Sequence, residues 1–165
     1  MRKLARKACI RLLLLLAAMT GVIIPASFAG QDIQLSTGQT VYVAIYSHIY
    51  SGNKARPFNL AAILSIRNTD MDHPVTIVSV KYYDTGGKLL QEYLNEPLQL
   101  EALASTRFII KESDTTGGSG ANFIVKWKSE KEVNPPMIEA VMIGTHSGQG
   151  ISFVSRGQVI EEHKE

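Results

Sequence analysis

The feature that most constrains the fold is the alternation of apolar and polar residues between Leu60 and Phe108. Short alternating segments are separated by turns rich in Asn, Asp, Gly and Pro, namely Asn68–Pro74 and Asp84–Gly87. A period of two is the pattern of half-buried β-strands, and these turn residues are typical of tight connections between them. The stretch therefore predicts a β-meander with strands over Leu60–Arg67, Val75–Tyr83, Lys88–Leu94 and Leu98–Ile110.

The rest of the chain continues this pattern. It predicts a first strand over Thr40–Ser51, a turn over Gly52–Asn59, and strands over Asn122–Lys128, Met137–Gly144 and Ile151–Ile160. Met137–Gly144 is apolar almost throughout, which indicates a buried strand. Trp127 is expected to face the core. About eight short strands without crossover helices indicate an all-β fold, an antiparallel immunoglobulin-like β-sandwich.

The N-terminus has the pattern of an export signal. Five basic residues precede an apolar run from Leu12 to Ile24, which Pro25 interrupts before small residues near Ala29. The run is shorter than the roughly 20 residues that a membrane-spanning helix needs, so it predicts a cleavable signal-peptide helix. The expected organisation is a signal peptide at 1–29, a lead-in at 30–39, the sandwich at 40–160 and a polar tail at 161–165.

Cleavage near Ala29 changes the chemistry of the chain. It removes five basic and no acidic residues, so the formal charge moves from +2 to 2 − 5 = −3. Such a domain lacks the basic footprint of a nucleic-acid-binding protein. The single cysteine, Cys9, is removed as well, which excludes disulfides and cysteine-based sites from the mature chain. We expect a periplasmic or secreted protein that meets the membrane only transiently, through its signal peptide.

Several sequence blocks together are similar to one known family. They are Val43–Tyr50, Ser65–Asp70, Val80–Thr85, Leu103–Phe108, Gly117–Phe123, Gly150–Phe153 and Ser155–Gly157. These blocks resemble the exported bacterial proteins grouped as DUF3124, a domain of unknown function, for which the resemblance implies no activity. The meander is also similar to immunoglobulin-like modules of exported bacterial proteins, a likeness of fold that says little about function.

The sequence favours a non-enzymatic binding or interaction module of the bacterial envelope, with an envelope protein or glycan as its partner. It contains no nucleophile elbow, zinc motif or nucleotide-binding loop. Rigid sandwiches usually display binding residues on loops. The candidate binding residues are Arg67, Asn68, Asp114, Ser119, Asn122 and Arg156. For each of them the alternative is local turn bonding or a surface ion pair.

An enzymatic alternative begins from Asp84–Gly86, which matches the Asp-Thr-Gly of aspartic proteases. Gly117–Gly120 resembles a glycine-rich flap, and Met142–Gly144 resembles the element that follows it. In a homodimer, two such aspartates would share a proton to activate water. A hairpin turn explains Asp84 equally well, because its carboxylate accepts backbone N–H groups while glycine supplies positive φ.

A second alternative is a carbohydrate-binding module. Tyr42, Tyr46 and Tyr50 alternate along the first predicted strand, where their rings would form a platform for a sugar. The competing interpretation places them under a loop or on the outside of a sheet, where tyrosine is common.

Metal or cofactor binding is not predicted. Asp70, Asp72 and His73 are close in sequence, but no EF-hand pattern completes a calcium site, and loop aspartates of this kind normally accept hydrogen bonds from their own backbone. The histidines lack zinc-ligand spacing. Gly117–Gly120 lacks the lysine of a phosphate-binding loop and is expected to be flexible.

Overall fold

The computed structural model describes residues 34–146 and 148–163. The predicted signal peptide lies outside these residues. The described part contains twelve strands and no helix: β1 Ser36–Ala44, β2 His48–Ser51, β3 Arg56–Asn59, β4 Ala61–Arg67, β5 Val75–Tyr83, β6 Leu89–Glu92, β7 Leu98–Leu100, β8 Ser105–Ile110, β9 Asn122–Val133, β10 Met137–His146, β11 Gln149–Arg156 and β12 Gln158–Glu162. The first strand therefore begins inside the expected lead-in, and the last ends inside the expected polar tail.

The strands form two large antiparallel sheets and one hairpin. The six-stranded sheet has the order β12-β1-β9-β5-β6, with β7 pairing β5 beside β6. The four-stranded sheet has the order β11-β10-β4-β8, and β2 pairs only β3. The predicted all-β, antiparallel, sandwich-like architecture is confirmed.

The core lies between the inner faces of the two sheets. On β9, Phe123, Val125 and Trp127 are fully buried while the residues between them point outwards, as a period-two strand requires. Across the core, Leu64 and Met142 are buried on β4 and β10. The prediction that Trp127 faces the core is confirmed.

The predicted meander is wrong as a sheet arrangement. Strands β4 and β5 belong to different sheets, because β4 pairs with β8 and β10 whereas β5 pairs with β6, β7 and β9. The alternation of apolar and polar residues shows that each strand buries one face. It does not show whether two strands pair in one sheet or face each other across the core. The predicted β5–β6 hairpin is confirmed.

The predicted segment Leu98–Ile110 also divides between the sheets. Strand β7 pairs with β5 and β8 pairs with β4, so the chain crosses the sandwich between them. At the crossing Leu103 has a φ of 60°, its N–H donates to the Asp70 carbonyl (3.1 Å), and Asn68 N–H donates to the Ala104 carbonyl (2.9 Å). Backbone hydrogen bonds outside any ladder therefore hold this corner.

The predicted strand Thr40–Ser51 ends early, at Ala44. Beyond it the Ile45 N–H donates to the Ala121 carbonyl (2.9 Å) and the Ser47 N–H to the Gly118 carbonyl (3.1 Å), so the chain leaves the sheet. It then forms β2, whose partner β3 occupies part of Gly52–Asn59, the segment predicted as a turn.

The predicted strand Ile151–Ile160 is divided by Gly157. Its N–H donates to the Ile138 carbonyl (2.8 Å), and a Cβ at this position would lie 2.7 Å from both that oxygen and Val41 Cγ1. Only glycine fits this corner without displacement, which lets β11 finish one sheet and β12 begin pairing in the other. Three predicted strands are thus divided in two and β3 forms within the predicted turn, so twelve strands replace the expected eight.

A candidate interaction face on the four-stranded sheet

The outer faces of the two sheets differ in chemistry. On the six-stranded sheet, outward residues aligned across the strands are mostly polar, as in the rows Gln158–Tyr42–Ile124–Lys81 and Lys128–Thr76–Gln99. A polar outer face is the usual condition of an antiparallel sheet with one side in water.

The four-stranded sheet carries a row of β-branched residues on its outside. Val154, Val141, Ile63 and Ile109 are direct cross-strand neighbours on β11, β10, β4 and β8, and we call them the apolar row. The two ends are the most open, since Val154 is 53% and Ile109 is 52% exposed. Ile143 lies in the adjacent register, opposite Ala61 and Ser152, and extends the patch. Every strand of this sheet therefore contributes apolar surface to its outer face.

Strand β10 shows the departure from ordinary alternation. Its inward residues Ile138, Ala140 and Met142 are buried, and its outward residues Val141 and Ile143 are also apolar. The sequence predicted a buried strand, but within the described residues no other strand covers its outer face. This apolar run was the signal that could have located the surface.

The other half of the same outer face is basic. Arg156, Glu139, Ser65 and Arg107 form the row next to the apolar row, and Met137, Arg67 and Ser105 form the next. Its three arginines and one glutamate give a formal charge of 3 − 1 = +2. We call this the arginine half. Among the described residues no ion pair involves these arginines, although Arg67 Nε donates to Ser65 Oγ (3.1 Å).

The structure places two of the six candidate binding residues on this face. Arg67 and Arg156 lie in the arginine half, at the ends of β4 and β11. Asp114, Ser119 and Asn122 lie at the opposite end of the sandwich, around the start of β9. The candidate loop residues therefore do not form one site.

Asn68 supports the fold at the turn after β4. Its side chain is buried, and Nδ2 donates to the carbonyls of His73 (2.8 Å), Glu101 (3.0 Å) and Leu100 (3.3 Å). Its Oδ1 accepts from Asp70 N–H (3.0 Å). The bonds with His73 and Asp70 match the local turn-bonding alternative for Asn68, and those with Leu100 and Glu101 connect the turn to a distant segment.

Asp114 is used locally as well. Its Oδ1 accepts from the N–H (3.0 Å) and the hydroxyl (2.6 Å) of Thr116. Together with Tyr82 burial, its charge raises the pKa of Tyr82 to about 12; burial is the larger cause. The nearby Asn122 is the first residue of β9 and pairs with Ala44 and Tyr83.

The glycine loop is held in place, contrary to the flexibility expected from its composition. Thr85 donates from its N–H and from its hydroxyl to the Gly117 carbonyl (both 2.9 Å), and Gly120 N–H donates to Thr85 Oγ1 (3.0 Å). Ser47 Oγ donates to the Gly118 carbonyl (2.9 Å). Fixed hydrogen bonds thus connect this loop to two neighbouring segments.

Asp84 forms the predicted hairpin turn. Its Oδ1 accepts from the N–H groups of Gly86 and Lys88, both at 2.8 Å, and Gly87 has a φ of 81°. The turn interpretation is confirmed in both respects.

The three tyrosines do not share one strand face. Tyr42 lies on β1, Tyr46 lies after its end and packs edge-on against Phe153 (5.6 Å between ring centres), and Tyr50 lies on β2. The tyrosine platform of the carbohydrate-binding alternative is therefore wrong, because the chain leaves the sheet between Tyr42 and Tyr46.

Asp70 is the most extensively hydrogen-bonded carboxylate in the described chain. Its Oδ1 accepts from the N–H groups of Asp72 (3.0 Å) and His73 (2.9 Å), and Oδ2 accepts from Asn134 N–H (3.1 Å). These donors, with Asp72 first, lower the pKa of Asp70 to about 2. The predicted backbone bonding of this loop is confirmed.

His73 lies between opposite charges. Its Nδ1 is 3.2 Å from Asp70 Oδ1, and its Nε2 is 3.3 Å from Lys131 Nζ at the edge of a shallow groove. Within residues 34–146 and 148–163 no group of three His, Cys, Asp or Glu side chains is arranged to hold a metal ion. The same ranges include no helix with the length and hydropathy to cross a membrane.

Fold and surface together define a class: antiparallel β-sandwich-like domains with one unusually apolar outer face. Comparison with family profiles then gives the family. Residues 38–160 match the one described as "Protein of unknown function (DUF3124)", and the chain belongs to it, as the sequence blocks indicated.

Other comparisons add little. No curated protein matches the chain. A solved structure described as "Crystal Structure of Thermotoga maritima 1070" is similar to this chain, with 10% sequence identity and a TM-score of 0.46; the alignment covers 76% of this chain and 97% of that one. This likeness carries no argument about function.

Proposed function

We propose that this chain is an exported, immunoglobulin-like interaction protein of the bacterial envelope, and that it binds a protein partner through the outer face of its four-stranded sheet. The observation that carries the proposal is the apolar row, which crosses all four strands and has no covering element in the described chain. Contiguous apolar patches on soluble domains commonly mark interaction sites.

The energetic reason is the cost of keeping this row in water. Full burial of a Val or Ile side chain contributes about 1.5–3 kcal/mol. Covering the exposed half of Val154 or Ile109 therefore contributes roughly 1 kcal/mol each, and the less exposed Val141 and Ile63 contribute less, so the row contributes on the order of 3 kcal/mol. The adjacent arginines favour a partner with carboxylates beside its apolar surface.

A protein partner fits this face better than a glycan. Sugar-binding surfaces use flat rings, whereas the apolar row consists of Val and Ile alone. The rows on either side of it likewise contain no aromatic residue. Aliphatic β-branched side chains on a pleated surface interdigitate well with similar side chains from another protein.

The test is photo-crosslinking in the native envelope. A benzophenone amino acid is placed at Ile63 or Val154 on the proposed face, and at Ile124 or Lys126 on the outer face of the six-stranded sheet as matched controls. We expect a discrete crosslinked protein from the first pair and none from the second. Equal crosslinking from both faces, or none from Ile63 and Val154, would contradict the proposal.

Export has a separate test. Residues 1–35 are fused to alkaline phosphatase, which is active only outside the cytoplasm. An active reporter, lost when Leu12–Ile24 is deleted, supports export. An inactive fusion argues that the protein stays in the cytoplasm.

A further inference from the structure

We propose that the partner adds an extended segment to the open edge of β11, as a fifth, antiparallel strand of the four-stranded sheet. This inference rests on the proposed function, because it names the part of the partner that meets the rim of the same face. The segment carries apolar side chains on both of its faces and a carboxylate beside Arg156. Adding a strand to an open sheet edge is a general mode of peptide recognition.

The backbone of β11 is available along one whole edge. Strand β11 pairs with β10 over its eight residues without a register shift, and no described strand lies on its other side. In an antiparallel ladder, alternate residues direct their N–H and C=O groups away from the paired strand. Among the described residues, no backbone hydrogen bond outside the ladder with β10 involves residues 149–156, and six of these eight residues are exposed. The edge therefore presents a regular row of donors and acceptors to another strand.

The other sheet edges in the described chain have features that hinder pairing. Strands β6 and β7 have only four and three residues, β12 has a bulge and the acidic residues Glu161 and Glu162, and β8 has Arg107 at its centre. Short strands, bulges and charges are the features by which edge strands avoid pairing with other chains. In contrast, β11 has no bulge, and its one charged residue, Arg156, stands at its last position. The edge of β11 is therefore the best suited to receive a strand.

The side chains of β11 define the apolar part of the segment. On the inner side, Phe153 is half-buried and Ile151 is 38% exposed, so the core is incompletely covered at this edge. On the outer side, Val154 ends the apolar row. An added strand places its own side chains opposite these residues and on the same faces. Apolar residues opposite Ile151, Phe153 and Val154 would therefore cover apolar surface on both faces of the sheet.

Arg156 defines the charge of the segment. It is exposed at the end of β11 and lies opposite Glu139 of β10 without forming an ion pair. A carboxylate on the added strand would pair with Arg156 from its open side. The positive surplus of the arginine half favours the same sign of charge in the partner.

These requirements combine into one sequence pattern. Every strand pair in the described chain is antiparallel, and antiparallel pairing is slightly more stable than parallel pairing. An antiparallel segment meets Arg156 first and Ile151 last. From its N-terminus it therefore reads as an acidic residue, any residue, two apolar residues, any residue and an apolar residue. The two unrestricted positions lie opposite Ser155 and Ser152.

The first experiment uses the full chain, purified from a bacterial host, and a fluorescein-labelled peptide. The peptide contains Glu-Thr-Val-Val-Thr-Val with Ser-Gly at each end. We expect saturable binding by fluorescence anisotropy, and slower hydrogen exchange of the β11 amides, but not of the β12 amides, when the peptide is bound. Absence of binding, or unchanged exchange in β11, would overturn the proposal. Protection of the β11 amides that rises with protein concentration without peptide would show a second copy at the edge and would also overturn it.

Methylation of the peptide backbone tests the ladder itself and leaves the protein unchanged. One peptide is methylated at the N–H groups of alternate residues, and a second is methylated at the N–H groups of the residues between them. Only one of these two sets points at β11 in an antiparallel pair. We expect one peptide to bind about tenfold more weakly or worse, because it loses several hydrogen bonds, and the other to bind as before. Equal effects of the two methylations would contradict strand addition.

A charge reversal tests which edge is used. Arg156→Glu should weaken binding about fivefold, because an opposite-charge cross-strand pair becomes a like-charge pair, and a peptide with Lys in place of its Glu should recover the affinity. Arg107→Glu, in the same row on the edge strand β8, makes an equal change in net charge and is the matched control. If Arg107→Glu weakens binding and Arg156→Glu does not, the segment adds to β8 and the proposal fails. Circular dichroism verifies that both variants are folded.

The outcomes separate this inference from the proposed function. A chain whose Ile63 photo-crosslinks to a partner but whose β11 does not bind the peptide overturns the added strand and leaves the interaction function standing. A chain that shows neither the crosslink nor peptide binding overturns both.

Discussion

At the scale of single residues, Asp70 shows how a motif that resembles a metal site can serve the fold. The pKa of its carboxyl falls from 3.8 to about 2, chiefly because backbone N–H groups of Asp72 and Asn134 donate to it. Its oxygens are occupied by the turn after β4 and by the segment after β9. The clustering of Asp70, Asp72 and His73 therefore reflects turn chemistry.

This pKa predicts a dependence of stability on acid. Because the folded state favours the carboxylate, its contribution is complete above pH 3.8 and is lost as the pH falls towards about 2. The free energy of unfolding, measured by urea titration at several pH values, should fall less steeply through this window in Asp70→Asn. His73→Gln should keep the steep dependence, because the backbone donors remain. An unchanged profile in Asp70→Asn would contradict this origin.

Gly117 has a packing role that its glycine-rich surroundings in the sequence did not indicate. A Cβ there would overlap the Tyr82 hydroxyl and lie 2.8 Å from Ala121 Cβ, so the loop needs glycine for close packing. We expect Gly117→Ala to lower the free energy of unfolding by about 1–3 kcal/mol, the usual range for overpacking. Denaturant unfolding measures the effect.

Its matched control is Gly150→Ala, whose Cβ would meet only Thr145 Cγ2 at 3.9 Å. Tyr82→Phe combined with Gly117→Ala should recover part of the loss, because it removes the overlapping hydroxyl. Equal stabilities for the two alanine variants would show that the loop adjusts without cost.

At the scale of elements, Asn68 links two of the connections by which the chain passes from one sheet to the other. Its side-chain amide connects the β4–β5 turn to the β7–β8 corner through four hydrogen bonds. We expect Asn68→Ala to lower the free energy of unfolding by about 2–3 kcal/mol, because it leaves buried carbonyl groups without donors. Thermal and urea unfolding measure this loss.

The exposed Arg67→Ala is the control at the neighbouring position. It should change the stability of the isolated monomer by less than about 0.5 kcal/mol, as surface substitutions usually do. If Asn68→Ala is as stable as Arg67→Ala, the amide does not hold the corner.

The sequence predicted strands better than it predicted their partners. Val75–Tyr83 was located to the residue, and the turn chemistry of Asp84 and Gly87 was correct, because both depend on neighbours in the chain. The sheet to which β4, β7 or β12 belongs depends on contacts across the core. Apolar and polar residues alternate in the same way whether two strands pair in one sheet or face each other across the core. The sequence pattern therefore could not predict which strands pair.

At the scale of the whole molecule, function is proposed from the contrast between two outer faces. Sequence reasoning named Arg67 and Arg156, which lie on the proposed face, but it did not identify the apolar row, whose members lie on four separate segments. Only the register of the sheet brings Val154, Val141, Ile63 and Ile109 together. The apolar run of β10 was visible in the sequence, yet it was interpreted as burial within one molecule rather than between molecules.

The most direct measurement of the central claim is the rate of thiol alkylation at Ile109→Cys in the native envelope and in dilute purified protein. Ile160→Cys, at similar exposure on β12, is the control. If a partner covers the outer face of the four-stranded sheet, alkylation at position 109 should be at least tenfold slower in the envelope, and position 160 should react alike in both. Equal rates at position 109 in the two conditions would show that the face is bare and would contradict the account.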